Sequence, residues 1–229
     1  MVLSINQTSS TLSFIEQRTK DREEQAEKLA SAKRINSAAD DPAGLQIASR
    51  LTADINQNQQ LGNNAQDQIN INNIQSGGLS AINDSLQRAN VLSVQSGNPL
   101  SDNGAIQGEL DQLTEQVNAL ASEVLGQDDF LSALDASDPA STQAALADAF
   151  VTISESATTL GANSNALTSQ VNTYETSVVN VSASRSRIED TDFAATSAKQ
   201  QETEVLLQSA IINKKDEDSR KGLLINQLV

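Results

Sequence analysis

The residues with chemical potential fall into two acidic groups. Asp128, Asp129, Asp135 and Asp138 lie close together in mid-chain, and Glu189, Asp190 and Asp192 follow Arg185 and Arg187 near the C-terminus. The first group has the charge for a divalent cation but lacks the ligand spacing and central glycine of a calcium loop. The second could hold a carboxylate pair for acid–base work, but no His, Tyr or basic partner is placed to complete such a site locally. The chain contains neither His nor Cys, which removes the commonest general base and metal ligand together with all thiol chemistry. The mid-chain acids therefore read as solvated connector residues. The second group reads as ion-pair partners of Arg185 and Arg187, or as caps of the last helix. No catalytic, cofactor or metal site is expected, and the chain does not read as an enzyme.

The elements that carry these groups are helical. Ile5, Leu12, Ile15, Thr19, Ala26 and Leu29 step by threes and fours through residues 3–33, with Thr8 and Arg22 filling the gaps, a heptad-like stripe weakened by polar members. A break is expected over 34–42, where Asp41 followed by Pro42 has the chemistry of an N-cap and first turn. A second helix runs from Ala43 to about Ser96. Its stripe is Ile47, Leu51, Ile55, Leu61, Ala65, Ile69, Leu79, Ile82, Leu86, Ala89 and Leu92, and Gly77-Gly78 is a candidate bend. At 1.5 Å per residue it would reach roughly 80 Å. Gly97-Asn98-Pro99 turns the chain. Ile106, Leu110, Leu113, Val117, Leu120 and Val124 mark the cleanest helix, stepping 4, 3, 4, 3, 4. A short acidic connector, 126–139, precedes a fourth helix from near Ala140 to about Val181. A last helix covers about 194–228, split by the charged run from Lys214 to Lys221. No alternating strand pattern exceeds a few residues. The fold class is all-α and elongated.

Composition supports this. Aromatics are 2% of 229 residues, and Trp is absent. The apolar inventory of Ala, Leu, Ile and Val suits helix–helix seams. The abundant Asn, Ser and Thr are mediocre helix formers, so these helices need packing partners. No apolar run approaches a membrane span, and residues 1–15 do not look like a cleaved signal. The net charge of −15 is uneven: between Leu51 and Ser184 a single base, Arg88, stands against fifteen acids, whereas both ends are near neutral. An acidic middle argues against nucleic acid and anionic membrane as partners.

Both ends carry recognisable segments. Residues 27–44, centred on Arg34-Ile35-Asn36-Ser37-Ala38-Ala39-Asp40-Asp41, resemble a segment of bacterial flagellins. So do Leu86-Gln87-Arg88 with Leu92-Ser93-Val94-Gln95-Ser96, Leu160-Gly161-Ala162, and residues 182–194 around Ser184-Arg185-Ser186-Arg187-Ile188-Glu189-Asp190. The resemblance covers about 1–125 and 160–213, in family order. It implies a discontinuous inner coiled-coil domain (1–42 and 194–229) from the paired terminal helices, and an outer helical rod domain (43–193). With so short a connector near 126–139, this would be a minimal subunit with its acidic middle at the filament surface. The implied function is a structural subunit that polymerises into the flagellar filament for motility, with a hook–filament junction protein as the alternative. The implied inner coiled-coil residues are Ile5, Leu12, Ile15, Leu29, Val205, Leu206, Ile211, Ile212, Leu223, Leu224, Ile225 and Leu228. Arg88, Leu92 and Glu109 fall on a strip that is either a lateral contact between subunits or a contact for an animal Toll-like receptor. The other implied partners are further copies of the chain, hook-associated and cap proteins, and a flagellar export chaperone. The implied location is extracellular, reached by type III export. Ala32-Lys33 replaces the family's Gly-Leu, so a stiffer break is expected before Arg34. The family's short β-hairpin after the third helix has no evident counterpart.

Overall fold

Four of the five helices begin at an aspartate, and that choice sets the architecture. In the computed structural model, which describes residues 2–226 (side chains 11–220), the helices are α1 (Val2–Ser31), α2 (Pro42–Ser96), α3 (Asn103–Leu125), α4 (Pro139–Glu189) and α5 (Phe193–Asn226). Asp41 accepts from the Gly44 amide at 2.9 Å, Asp102 from Gly104 at 3.0 Å, Asp138 from Ser141 at 3.1 Å and Asp192 from Ala195 at 3.0 Å. Each thereby satisfies an amide that its helix leaves unpaired and places negative charge at the positive end of the dipole. Pro42 and Pro139 follow two of these caps in the first helical position, where a missing N–H costs nothing.

Most boundaries fall where the sequence puts them. Two differ. The fourth helix continues past Val181 to Glu189, and the charged run from Lys214 leaves α5 unbroken. α2 is likewise continuous through Gly77-Gly78. Gly78 serves packing there: a side chain at that position would collide with Val124 of α3.

The chain divides into two compact units, 1–57 with 177–229, and 58–176. The division falls within α2 and within α4. In the first unit α1 packs along α5. In the second, α2, α3 and α4 enclose one core. Leu79, Ile82, Leu86, Ala89 and Leu92 come from α2, Ile106, Leu110, Val117 and Ala121 from α3, and Leu146, Ala149 and Ile153 from α4.

The connector 126–138 differs from its expected character. Its acids are exposed, but Leu131, Leu134 and Ala136 are buried in the core and Phe130 packs against it. Two amide side chains of α3 hold its backbone. Asn118 accepts from the Leu131 amide at 2.7 Å and donates to the Leu131 carbonyl at 2.9 Å. Gln107 donates to the Leu134 carbonyl and accepts from the Ala136 amide, both at 2.8 Å. Each side chain supplies the donor and acceptor that a neighbouring strand would otherwise supply. Among the described residues there is no strand, only a single antiparallel bridge between Lys33 and Asp190.

Candidate functional site

The motif over 34–44 and the motif over 184–194 meet in the first unit. α1 ends at Ser31, and Ala32 takes the left-handed conformation with φ of 57°. The next residues lie against the end of α4. The Arg34 amide donates to the Glu189 carbonyl at 2.6 Å, the Thr191 amide donates to the Ala32 carbonyl at 3.1 Å, and the Arg34 guanidinium donates to the Ile188 carbonyl at 2.5 Å. The Glu189 carboxylate is buried and lies 2.6 Å from the Lys33 ammonium and 3.7 Å from Arg185. The expected pairing of Arg185 with this acidic group is present, as is the capping role of Asp192. Lys33 is a partner the sequence does not reveal. Asp190 accepts from Ser186 Oγ at 2.5 Å.

The loop closes on itself. Asp40 accepts from the amides of Asn36 at 3.0 Å and Ser37 at 2.8 Å, and from the Ser37 hydroxyl. These donors, the backbone amides foremost, hold the Asp40 carboxyl below the usual aspartate value. Ile35 is almost completely buried, and a side chain at Gly44 would run into both Ile35 and Asp41. These polar groups are engaged in holding backbone. Together they form a joint where α1 gives way to α2 beside the passage from α4 to α5.

Three of the four mid-chain acids are engaged in local hydrogen bonds. Asp128 accepts from Ser122 Oγ at 2.5 Å and Asp135 from the Ser137 amide at 2.7 Å, while Asp138 caps α4. Among the described residues no group of three acidic side chains is arranged to hold a metal ion.

Of the residues expected in the inner coiled coil, some line the seam between α1 and α5 and some lie outside it. The seam between α1 and α5 buries Thr203, Leu207 and Ala210 of α5, with Ile15, Thr19 and Leu29 of α1 half-buried. Leu12 at 51% exposed, Val205 at 65%, Ile211 at 50% and Ile212 at 66% lie outside it, and Leu206 borders a groove with Phe14. The side chains of Ile5, Leu223, Leu224 and Ile225, and all of Leu228, lie outside the described residues.

In the second unit, Arg88 Nε donates to Glu109 Oε1 at 2.7 Å across α2 and α3. That hydrogen bond, with the carboxylate's charge, raises the arginine above its ordinary value. Both side chains are substantially exposed. Leu92 is not part of that surface: its neighbours along the stripe turn it into the core, at 3% exposed. The expected three-residue strip is therefore a two-residue ion pair, with Leu92 removed from it.

These arrangements build helix joints and seams. Comparison with known proteins agrees with that class. Residues 2–137 match the bacterial flagellin N-terminal helical region and residues 143–213 the C-terminal helical region. The chain belongs to the bacterial flagellin family. It is 41% identical over 99 residues to a flagellin of Clostridium tyrobutyricum, covering 42% of this chain and 26% of that one. It is 40% identical over 116 residues to a flagellin of Salmonella typhimurium, covering 46% and 23%. The chain thus spans about a quarter of the length of these relatives. Among the described residues no helix is long and apolar enough to cross a membrane.

Proposed function

We propose that this chain is the structural subunit of a bacterial flagellar filament, exported from the cell and polymerised through its terminal helices, and that it has no catalytic role. The observation that carries this reading is the set of exposed aliphatic side chains on the α1–α5 pair: Leu12 on α1, and Val205, Ile211 and Ile212 on α5. Four aliphatic side chains stand at half or more of full exposure while the seam beside them is closed mainly by Thr203, Leu207 and Ala210. Burying an aliphatic side chain is worth about 1.5–3 kcal/mol, so covering these side chains with neighbouring copies gives assembly a driving force. The same reading supplies hook-associated proteins, a cap and an export chaperone as partners. The exposed Arg88–Glu109 pair is suited to a lateral subunit contact or to an animal Toll-like receptor.

The test is seeded polymerisation of purified monomer, followed by sedimentation and electron microscopy. Long filaments from the full chain, and none after Ile212→Asp, are the expected results. A chain that stays monomeric on seeds, or an Ile212→Asp variant that polymerises normally, overturns the proposal.

A further inference from the structure

The chain holds a single Asn-Gly pair, Asn103-Gly104, at the start of α3. Asparagine followed by glycine is the pair most prone to spontaneous deamidation, because glycine has no side chain to shield its amide nitrogen. That nitrogen attacks Cγ of the asparagine. A new N–C bond closes a succinimide ring and the Cγ–Nδ2 bond breaks. The glycine amide gives up its proton, and the departing Nδ2 takes one up and leaves as ammonia. Water then opens the ring at either carbonyl, giving aspartate or isoaspartate. Asn103 is exposed, and Leu100 in the preceding turn is 94% exposed, so water reaches the pair.

In the folded chain the attacking nitrogen is held. The Gly104 amide donates to Asp102 Oδ1 at 3.0 Å, and the Ala105 amide reaches the same oxygen at 3.3 Å. Attack requires loss of the amide proton, and a hydrogen bond to a carboxylate makes that loss more costly. Asn103 is also the first residue of the helix. The Ile106 amide donates to the Asp102 carbonyl at 3.1 Å and closes the first turn around it. A helical ψ, about −42°, keeps the Gly104 nitrogen out of line with Cγ. Asn36-Ser37, in the loop after α1, is held in a similar way, with the Ser37 amide donating to Asp40 at 2.8 Å.

We propose that Asn103 is a deamidation site gated by folding, open in the unfolded chain and shut by the Asp102 cap in the folded one. The site thereby registers time spent unfolded, whether or not the chain polymerises. Its two products differ in consequence. Aspartate keeps the main chain intact and places negative charge at the positive end of the α3 dipole. Isoaspartate lengthens the main chain by one carbon just ahead of the buried Ile106 and Leu110, so a chain modified this way before folding starts α3 out of register.

The test follows the unmodified chain, Asp102→Ala and Asp102→Ser at mildly alkaline pH, both folded and in urea. Peptide mass spectrometry reads conversion at positions 103 and 36, and isoaspartate is counted with isoaspartate methyltransferase. In urea all three chains should convert Asn103 at one rate. The folded unmodified chain should convert it about tenfold or more slowly. Folded Asp102→Ala should be about fivefold faster than folded unmodified chain, the factor that corresponds to a cap worth about 1 kcal/mol. Asp102→Ser keeps a capping oxygen and should stay near the unmodified rate, while Asn36 should be unaffected by either substitution. The comparison of folded with unfolded unmodified chain needs no variant, and equal rates there overturn the proposal. A folded Asp102→Ala that keeps the unmodified rate, or an Asp102→Ser as fast as Asp102→Ala, overturns the cap as the gate.

Discussion

The Lys33 ammonium lies 2.6 Å from Oε1 of Glu189, although 156 positions separate them in sequence. Lys33 is half-exposed and Glu189 is nearly buried, at 49% and 10% of their side-chain surface. The two residues should therefore respond unequally to substitution. Lys33→Ala should cost under about 1 kcal/mol, because an exposed cation gains little from its partner. Glu189→Ala should cost about 1.5–3 kcal/mol, because it strips Lys33 and Arg185 of the carboxylate they share. Urea unfolding of monomer measures both, and equal costs would mean that the carboxylate's burial has no energetic consequence.

Ala32 occupies a conformation that favours glycine, with φ of 57°. A left-handed L-residue costs roughly 1–2 kcal/mol, and glycine gives back about 0.4–1 kcal/mol through its freer unfolded chain. Ala32→Gly should thus raise stability by up to about 1.5 kcal/mol, while Ala32→Val should lower it. Thermal unfolding followed by circular dichroism checks the order, and a destabilised Ala32→Gly would contradict the account of the joint.

Asp40 supplies the pH dependence of the joint. The amides of Ser37 and Asn36 hold its folded value below that of an ordinary aspartate. A depressed carboxyl contributes stability that is fully present above the unfolded value and is lost as pH falls through the folded one. The amide resonances of Asn36 and Ser37 should accordingly titrate with a midpoint below that of an ordinary aspartate. In Asp40→Asn they should show no such step. A titration midpoint above about 4 in the unmodified chain would show that the amides do not favour the charged form.

Asn118 and Gln107 should control the connector. Each replaces a strand's donor and acceptor with one side chain, so Asn118→Ala or Gln107→Ala leaves two backbone groups without those partners. Unmade bonds at buried groups cost about 1–3 kcal/mol. Limited proteolysis should then cleave near Phe130 and Leu131 in both variants and spare the unmodified chain. Unchanged cleavage would show that the buried leucines alone hold the segment.

The helices are legible in the order of residues along the chain. The 4-3-4-3-4 spacing from Ile106 to Val124 is a property of neighbouring residues, and α3 follows it, with Leu110 and Val117 wholly buried and Leu113, Leu120 and Val124 packed at the margin. Asp41-Pro42 marks a helix start because capping acts within one turn. Burial and long-range pairing are not legible in this way, because they depend on what arrives from far along the chain. The connector's acids are conspicuous in sequence, whereas Leu131, Leu134 and Ala136 are buried against a core built by distant helices, with Gln107 and Asn118 of α3 bonded to their backbone. Leu92 belongs to a segment that reads as surface by its resemblance, yet packing with α3 and α4 turns it inward. Val205 and Ile211 look like seam residues by apolarity, but α1 meets α5 on the face of Thr203, Leu207 and Ala210. Periodicity fixes which residues share a face of a helix, and only the arrival of a partner helix settles which face is covered.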